Sequence, residues 1–250
     1  MNDLSENFNL KQYMQDVVQS QVDKFNNLIR WGENEKNEFQ SLLNELEKPF
    51  DKTLETAKDK GDKLERVVEF IIKKSYFYDV YKNVHTETNE IDEVIVLSQK
   101  GKQAFTSFGL SRELLPIELD MFLGECKNYK KGLGVTYVGK FYSLLVATDI
   151  TFGIIFTQEG LSGKPEEYKD ANGLTKILRL IEKYEHGREL YIITFTKEDY
   201  HLLLEGYTFF DLIKDKKIEL QIASRYHNFL QENIHDGIDE IKTIIKKRIN

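Results

Sequence analysis

The sequence predicts an α/β fold, in which a mixed β-sheet is flanked by helices. Three observations predict this class. Near the N-terminus, apolar residues recur at three- and four-residue spacing, as one face of a helix requires. In the middle of the chain, a helix, three strand-like segments, a helix and another strand-like segment follow one another. The C-terminal residues are again helical in pattern, so helices are expected at both ends of the core.

Composition indicates a globular chain, because 40% of the 250 residues are hydrophobic and 31% are charged. No apolar run approaches the ~20 residues that span a bilayer, and the N-terminus lacks the order of a secretory signal. We therefore expect no membrane partner and a cytoplasmic location. Cys126 is the single cysteine, which excludes an internal disulfide and a cysteine-based zinc site.

The N-terminal part is expected to form a helical hairpin, assigned to residues 1–59. An amphipathic helix is predicted over residues 10–31, and a second helix carries Phe39 and Leu46 until Pro49 ends it. We expect this hairpin to pack on the core, on a second copy of the chain or on a partner protein.

A charged stretch that contains a glycine, residues 58–62, is interpreted as the boundary between the hairpin and a core over residues 60–195. Asp62 is the expected cap of the first core helix, which carries apolar residues at helical spacing over 64–72. The remaining chain, residues 196–250, is predicted to be a helical extension.

The core elements are predicted in a fixed order along the chain. They are strands over residues 76–84, 91–97 and 119–126, a helix over 135–145, a strand over 152–156, a helix over 172–184 and a strand over 190–195. Residues 98–118 do not fit this order and are interpreted as an insertion between two paired strands.

The candidate chemistry lies at the end of the third strand. Side chains alternate along a strand, so Glu125 and Lys127 point the same way while Cys126 points into the sheet. A buried strand has no structural need for an outward acid and base at its end. With Asp92 from a neighbouring strand, these residues could hold a divalent metal and activate a water molecule.

The net charge of the chain and the local charge near the candidate site give opposite indications about nucleic-acid binding. The formal net charge of −7 is unfavourable for binding a polyphosphate. A local cluster of lysines around the candidate site nevertheless offers a positive surface, formed by Lys127, Lys130, Lys131 and Lys140.

These motifs, taken in order, resemble the Mrr-like restriction endonucleases of the PD-(D/E)xK nuclease superfamily. The resemblance covers residues 60–195. Its matching segments are Lys60-Gly61-Asp62-Lys63-Leu64-Glu65, Asn89-Glu90-Ile91-Asp92, Glu125-Cys126-Lys127-Asn128, Lys140-Phe141-Tyr142 and Phe152-Gly153-Ile154-Ile155-Phe156.

The resemblance implies a restriction-endonuclease-like core that hydrolyses phosphodiester bonds in DNA with Mg²⁺, or with Mn²⁺ in its place. It implies catalytic roles for Asp92, Glu125, Lys127 and Glu65, and a metal set of Asp92, Glu125 and Cys126. Nucleic-acid contacts are expected from Asn128, Lys130, Lys131 and Lys140. A homodimer and a role in restriction or anti-phage defence follow as corollaries.

Several alternatives stay open at the level of sequence. The Glu-x-Lys pattern recurs at residues 167–169 and 240–242, where it reads as an exposed charge pair, and the candidate site itself could be a structural salt-bridge cluster. Glu65 could equally be a first-turn glutamate favoured by the helix dipole. For the whole chain, the alternatives are a catalytically silent binding or assembly module within a larger complex, and a nuclease acting on RNA or structured DNA.

Overall fold

Five strands form one mixed sheet in the computed structural model, which describes residues 9–49, 56–85 and 90–224. The strand order follows the sequence, β1-β2-β3-β4-β5. The strands are β1 (Tyr78–His85), β2 (Glu90–Leu97), β3 (Met121–Cys126), β4 (Phe152–Phe156) and β5 (Tyr191–Phe195). β1, β2 and β3 pair antiparallel, whereas β3, β4 and β5 pair parallel. The predicted α/β class and each predicted strand are therefore confirmed.

Helices cover both faces of this sheet. They are α1 (Leu10–Ile29), α2 (Glu33–Glu47), α3 (Ala57–Lys74), α4 (Gln99–Phe108), α5 (Val135–Ala147), α6 (Asp170–Ile181), α7 (Lys197–Glu205) and α8 (Phe209–Ala223). A π-helical turn, Glu182–His186, extends α6. The predicted helices at both ends of the core are confirmed over these residues. None of the helices in the described ranges is long and apolar enough to cross a bilayer.

The first two helices share a core with the sheet. Phe25 at the end of α1 packs on Phe77, and Phe39 of α2 stacks on Phe70 of α3. Trp31, between the two helices, meets the edge of Phe70 with ring centroids 5.3 Å apart. Burial of these aromatic rings removes a large apolar area from water, so packing holds α2 on α3 and the end of α1 on Phe77. Helix α2 packs along α3 rather than along α1, so the two N-terminal helices lie against the core but do not form the predicted hairpin with each other.

Residues 58–62 are not a boundary, which corrects the prediction made from their charge. Helix α3 begins at Ala57, and its cap is Thr56 rather than Asp62. The Thr56 hydroxyl accepts a hydrogen bond from the Asp59 backbone N–H, and the Asp59 carboxylate accepts one from the Thr56 backbone N–H at 2.7 Å. This reciprocal capping box satisfies two N–H groups that a helix start leaves open, so the helix begins before the charged stretch.

Residues 98–118 form the predicted insertion between two paired strands. They contain α4 and a short 3₁₀ turn, Arg112–Leu114. The Arg112 guanidinium donates to the carbonyl oxygens of Ile117 at 2.7 Å and Leu119 at 3.0 Å. Val96 pairs with Met121 directly after the insertion, so the insertion lies at one end of β2 and β3. The other end of this strand pair carries the candidate site.

The two faces of the sheet bury two separate cores. Ile95 and Phe122 face the core that contains α1, α2, α3, α7 and α8. Val94 and Leu123 face the core formed with α5 and α6. Because side chains alternate along a strand, neighbouring residues of β2 and β3 enter different cores. This alternation decides which residues the candidate site can use.

Asn89, residues 240–242 and the end of the predicted C-terminal extension lie outside the described residues.

Candidate active site

The predicted carboxylates and lysine meet at the ends of two adjacent strands. Glu93 pairs with Gly124 across the β2–β3 ladder, so the residues beside them, Asp92 and Glu125, are also neighbours. Both belong to the sheet face that carries α5 and α6. Lys127 follows β3, and its backbone N–H donates to the Phe156 carbonyl of β4 at 2.9 Å. Three strands therefore fix the backbone of this site.

One ammonium joins the two carboxylates. Lys127 Nζ lies 2.8 Å from Asp92 Oδ2 and 2.9 Å from Glu125 Oε1. Asp92 Oδ2 also accepts a hydrogen bond of 3.2 Å from the Cys126 backbone N–H. The side chains of Asp92 and Lys127 are each 25% exposed and that of Glu125 is 19% exposed. The cluster is therefore held by several charge-assisted hydrogen bonds and can still be reached by a ligand.

Electrostatics favours a cationic lysine between two crowded acids. Burial and the nearby Asp92 charge raise the pKa of Glu125, and Lys127 opposes this only in part. Burial disfavours the charged form of Lys127, but the two carboxylates outweigh it and raise the lysine pKa. A second cation placed at the carboxylates would relieve their mutual repulsion.

The donor set at this point fits magnesium. Among the described residues, no three His, Cys, Asp or Glu side chains are arranged to hold a metal ion together. Magnesium, however, keeps several water ligands and is usually bound by one or two carboxylates together with substrate phosphate oxygens. Asp92 and Glu125 supply two such carboxylates from rigid strands. They would hold the ion, and the remaining positions would go to water and phosphate.

The thiol of Cys126 does not join this pair, although Cys126 was in the predicted metal set. It points to the opposite face of β3, as alternation predicts, and donates to Glu93 Oε1 at a sulfur–oxygen distance of 3.4 Å. Burial and the Glu93 charge raise the pKa of this thiol well above its usual range. A thiol kept protonated is a poor metal ligand, since metals bind the thiolate.

Glu93 is the acid that sequence reasoning missed. Its side chain is fully buried, and Oε2 has no hydrogen-bond partner among the described residues. Burial raises its pKa to about 8. A signal existed in the sequence, because Asp92 and Glu93 are consecutive acids in a strand buried on both faces. Alternation requires one of the two to face the core of α1 to α3.

Glu65 is placed with a different lysine. Its carboxylate lies 3.9 Å from Lys82 Nζ, which contacts Glu69 more closely, at 2.6 Å. Within the described part of the chain, no hydrogen bond or ion pair joins Glu65 to Lys127 or to the two strand carboxylates. The structure thus leaves Glu65 on the α3 side of the sheet, and its catalytic role stays a prediction.

The predicted nucleic-acid contacts fall into two groups. Asn128 ties elements together, since its amide donates to the Lys60 carbonyl at 2.8 Å and accepts from Gln158 Nε2 at 2.6 Å. Lys130, Lys131 and Lys140 are exposed. Gln158 was not anticipated from the sequence. Its signal is its position directly after a buried parallel strand, where functional side chains of α/β sheets collect.

The second Glu-x-Lys pattern behaves as expected of an exposed pair. Glu167 and Lys169 lie in the loop before α6, with 3.9 Å between their charged atoms, and the lysine side chain is 56% exposed. No strand places a further acid beside them in the described structure. Position in the fold therefore separates this pair from the cluster at β3.

Comparisons with known proteins give no relative for this chain. No protein-family model, no curated protein and no solved structure matches it. The functional argument consequently rests on the residues and on the geometry of the cluster formed by Asp92, Glu125 and Lys127.

Proposed function

We propose that the chain is a magnesium-dependent nuclease that hydrolyses phosphodiester bonds in DNA, with Mn²⁺ as an alternative ion. The observation that carries this proposal is the single ammonium of Lys127, held within 3 Å of two partly exposed carboxylates at the ends of two adjacent strands. The resemblance of the ordered motifs to the PD-(D/E)xK nucleases supports the same chemistry.

Each residue of the cluster has a defined task in this proposal. Asp92 and Glu125 would bind the metal through one oxygen or more each, at positions that β2 and β3 determine. Bound magnesium polarises a phosphate and lowers the pKa of a coordinated water. Lys127 would donate a hydrogen bond to the attacking water or to the negative charge that develops on the phosphate. Its raised pKa favours this donor form.

DNA is the proposed substrate, and restriction or anti-phage defence the proposed role, because the resembling family acts in that way. Chemistry at phosphorus does not select the sugar, so RNA and structured DNA are the competing substrates. Cleavage of both strands of a duplex needs two active sites, which makes a homodimer part of the proposal.

The direct test uses supercoiled plasmid, methylated and unmethylated, with magnesium or with chelator. The parent chain should nick or linearise plasmid only with the metal, and Asp92→Ala should lose this activity while it keeps the parent far-UV spectrum. Cleavage by a folded Asp92→Ala variant would refute the proposed site. A structured RNA in parallel reactions separates the two substrate classes.

A second candidate function is an assembly module that binds another protein. The observation in its favour is an apolar surface at the start of α1, where Leu10, Tyr13, Met14, Val17 and Val18 are all more than 40% exposed. Contiguous exposed apolar surface is typical of protein contacts. This candidate predicts self-association or a stable complex that Met14→Glu disrupts, with no metal-dependent turnover. Light scattering of the parent chain and of this variant measures the first part.

A further inference from the structure

A polar pocket lies beside the candidate active site, at the carboxyl ends of β3 and β4. Its volume is about 270 Å³. One wall is built from the end of α2 and the first turns of α3, and the other from residues that follow β3 and β4. Its charged lining consists of Lys48, Lys60, Lys63, Lys130, Glu47 and Glu159. Lysines outnumber acids, and Glu47 is already engaged by His201 at 2.7 Å.

Two of these lysines, Lys60 and Lys130, line the pocket from opposite walls. Among the described residues, neither forms an ion pair within 4 Å. Burial and the Lys130 charge lower the pKa of Lys60, and Glu159 offsets this only in part. Like charges that line one pocket repel each other, and an anion bound there would offset this repulsion.

The pocket is rigidly connected to the cluster of Asp92, Glu125 and Lys127. Asn128, the residue after Lys127, holds the Lys60 carbonyl on one side and Gln158 on the other. The next residue, Tyr129, lines the pocket, and the charges of Lys127 and Glu125 both influence the pKa of its hydroxyl. Residues 127–130 therefore lead from the cluster to the pocket along one short stretch of backbone.

We propose that the pocket between Lys60 and Lys130 binds a second phosphodiester of the substrate strand, beside the one that is cleaved. This inference rests on the proposed nuclease function and extends it, because it assigns the path of the strand over the α3 start. Lysine ammonium groups bind backbone phosphates as point charges, without reading sequence. The pocket would thus hold the strand in position for hydrolysis at the cluster.

Salt-dependent binding in chelator tests this subsite without requiring cleavage. A labelled DNA duplex is titrated with the parent chain, Lys60→Gln, Lys130→Gln and the double variant across a series of salt concentrations. Each lost phosphate contact should reduce the slope of log K against log salt by about 0.9. Because the two lysines bind one phosphate, the double variant should show a slope reduced by about 0.9. Lys60→Arg should keep the slope of the parent chain, because arginine keeps the positive charge at this position.

Lys102→Gln is the matched control, since Lys102 is an exposed lysine of α4 at the opposite end of β2, paired with Asp120. It should leave the slope unchanged. A double variant that binds with the parent slope overturns the subsite, while metal-dependent cleavage by the parent would leave the nuclease proposal standing. A parent chain that neither binds nor cleaves overturns both. Inorganic phosphate at matched ionic strength should not displace the duplex more than chloride does; stronger displacement would assign the pocket to the free anion instead.

Discussion

Two lysines of nearly equal exposure occupy the two faces of the sheet, and they show how an ion-pair cluster differs from a candidate site. Lys127 is 25% exposed and Lys82 is 27% exposed, and each contacts two carboxylates. The partners of Lys127 come from the ends of two paired strands in the interior of the sheet. The partners of Lys82, Glu65 and Glu69, come from successive turns of one helix.

The difference lies in what the backbone determines. Glu125 pairs with Ile155 of β4, and Asp92 lies between Ile91 and Glu93, which both pair with β1. The sheet therefore positions the backbone of both acids before a ligand arrives. Helix partners reach Lys82 through long side chains, an arrangement typical of exposed pairs that contribute little free energy. A count of ion pairs would rank the two clusters as equal, whereas their origin in the fold separates them.

Replacing each lysine in turn gives the largest expected effect. Lys127→Ala should reduce metal-dependent plasmid cleavage by roughly 10²–10³-fold, because it removes a group placed for the developing charge. Lys82→Ala should cleave at a rate close to that of the parent. Initial rates under identical magnesium concentration measure both. A comparable loss in the two variants would contradict the distinction between the clusters.

The pH dependence of stability tests the buried acid behind the site. Glu93 has a raised pKa of about 8 in the folded chain against 4.5 for an ordinary glutamate. Between these two pKa values, Glu93 is protonated in the folded chain and ionised in the unfolded chain. The contribution of this protonation to stability is complete below pH 4.5 and is lost as pH rises through 8. Glu93→Gln should remove this loss, which amounts to a few kcal/mol at ~1.4 kcal/mol per pKa unit.

Urea unfolding of the parent and of Glu93→Gln at pH 5 and pH 9 provides the measurement. The variant should gain stability relative to the parent at pH 9 and not at pH 5. An equal difference at both values would mean that Glu93 is ionised in the folded chain.

A smaller effect is expected from adding a methyl group at Gly124, next to the buried Glu93 side chain. A Cβ at Gly124 would lie 2.8 Å from Glu93 Oε2 and 3.1 Å from Glu93 Cβ. Gly124→Ala should lower the free energy of unfolding by about 1–3 kcal/mol through overpacking. In a double-mutant cycle, Glu93→Ala should recover part of that loss, since it removes Glu93 Oε2, the nearest of the crowded atoms, although it keeps Cβ. Purely additive effects would place the strain elsewhere.

The smallest effect concerns the stability of the helix-borne cluster. Lys82→Ala should cost about 0.2–1 kcal/mol of unfolding free energy, because its two ion pairs are partly exposed. The cost should shrink in 1 M salt, which screens such pairs. Denaturant midpoints at low and high salt check this expectation. A loss above 2 kcal/mol would show that Lys82 is a packing residue.

Local patterns predicted the strands and the adjacency of the cluster well. The alternation of Glu125, Cys126 and Lys127 follows from the two-residue period of a strand, which depends on no distant contact. Asp92 could be placed beside them because β2 and β3 are consecutive strands, and consecutive strands usually pair. These inferences needed only the periodicity and the order of elements.

Features that depend on distant packing or on competing local signals could not be predicted in the same way. The start of α3 was misplaced because a charged stretch with a glycine outweighed the Thr56 and Asp59 capping box that precedes it. Lys60 and Lys130 line the same pocket only because α3 and the residues after β3 are brought together by the tertiary fold. Glu65 was assigned to the site from its position in a motif, while the helix orientation directs it to Lys82.

Strand β3 has antiparallel pairing on one side and parallel pairing on the other, and this asymmetry has a consequence for the order of folding. Antiparallel neighbours close short loops, whereas β4 and β5 can join only after the crossover helices α5 and α6 have docked. The β1–β2 hairpin should therefore form early and the β3–β4 contact late. Pulsed hydrogen exchange should protect β1 and β2 amides first; simultaneous protection of all five strands would contradict this order. Strand β3, which supplies Glu125 to the cluster, then joins the half of the sheet that forms early to the half that forms late.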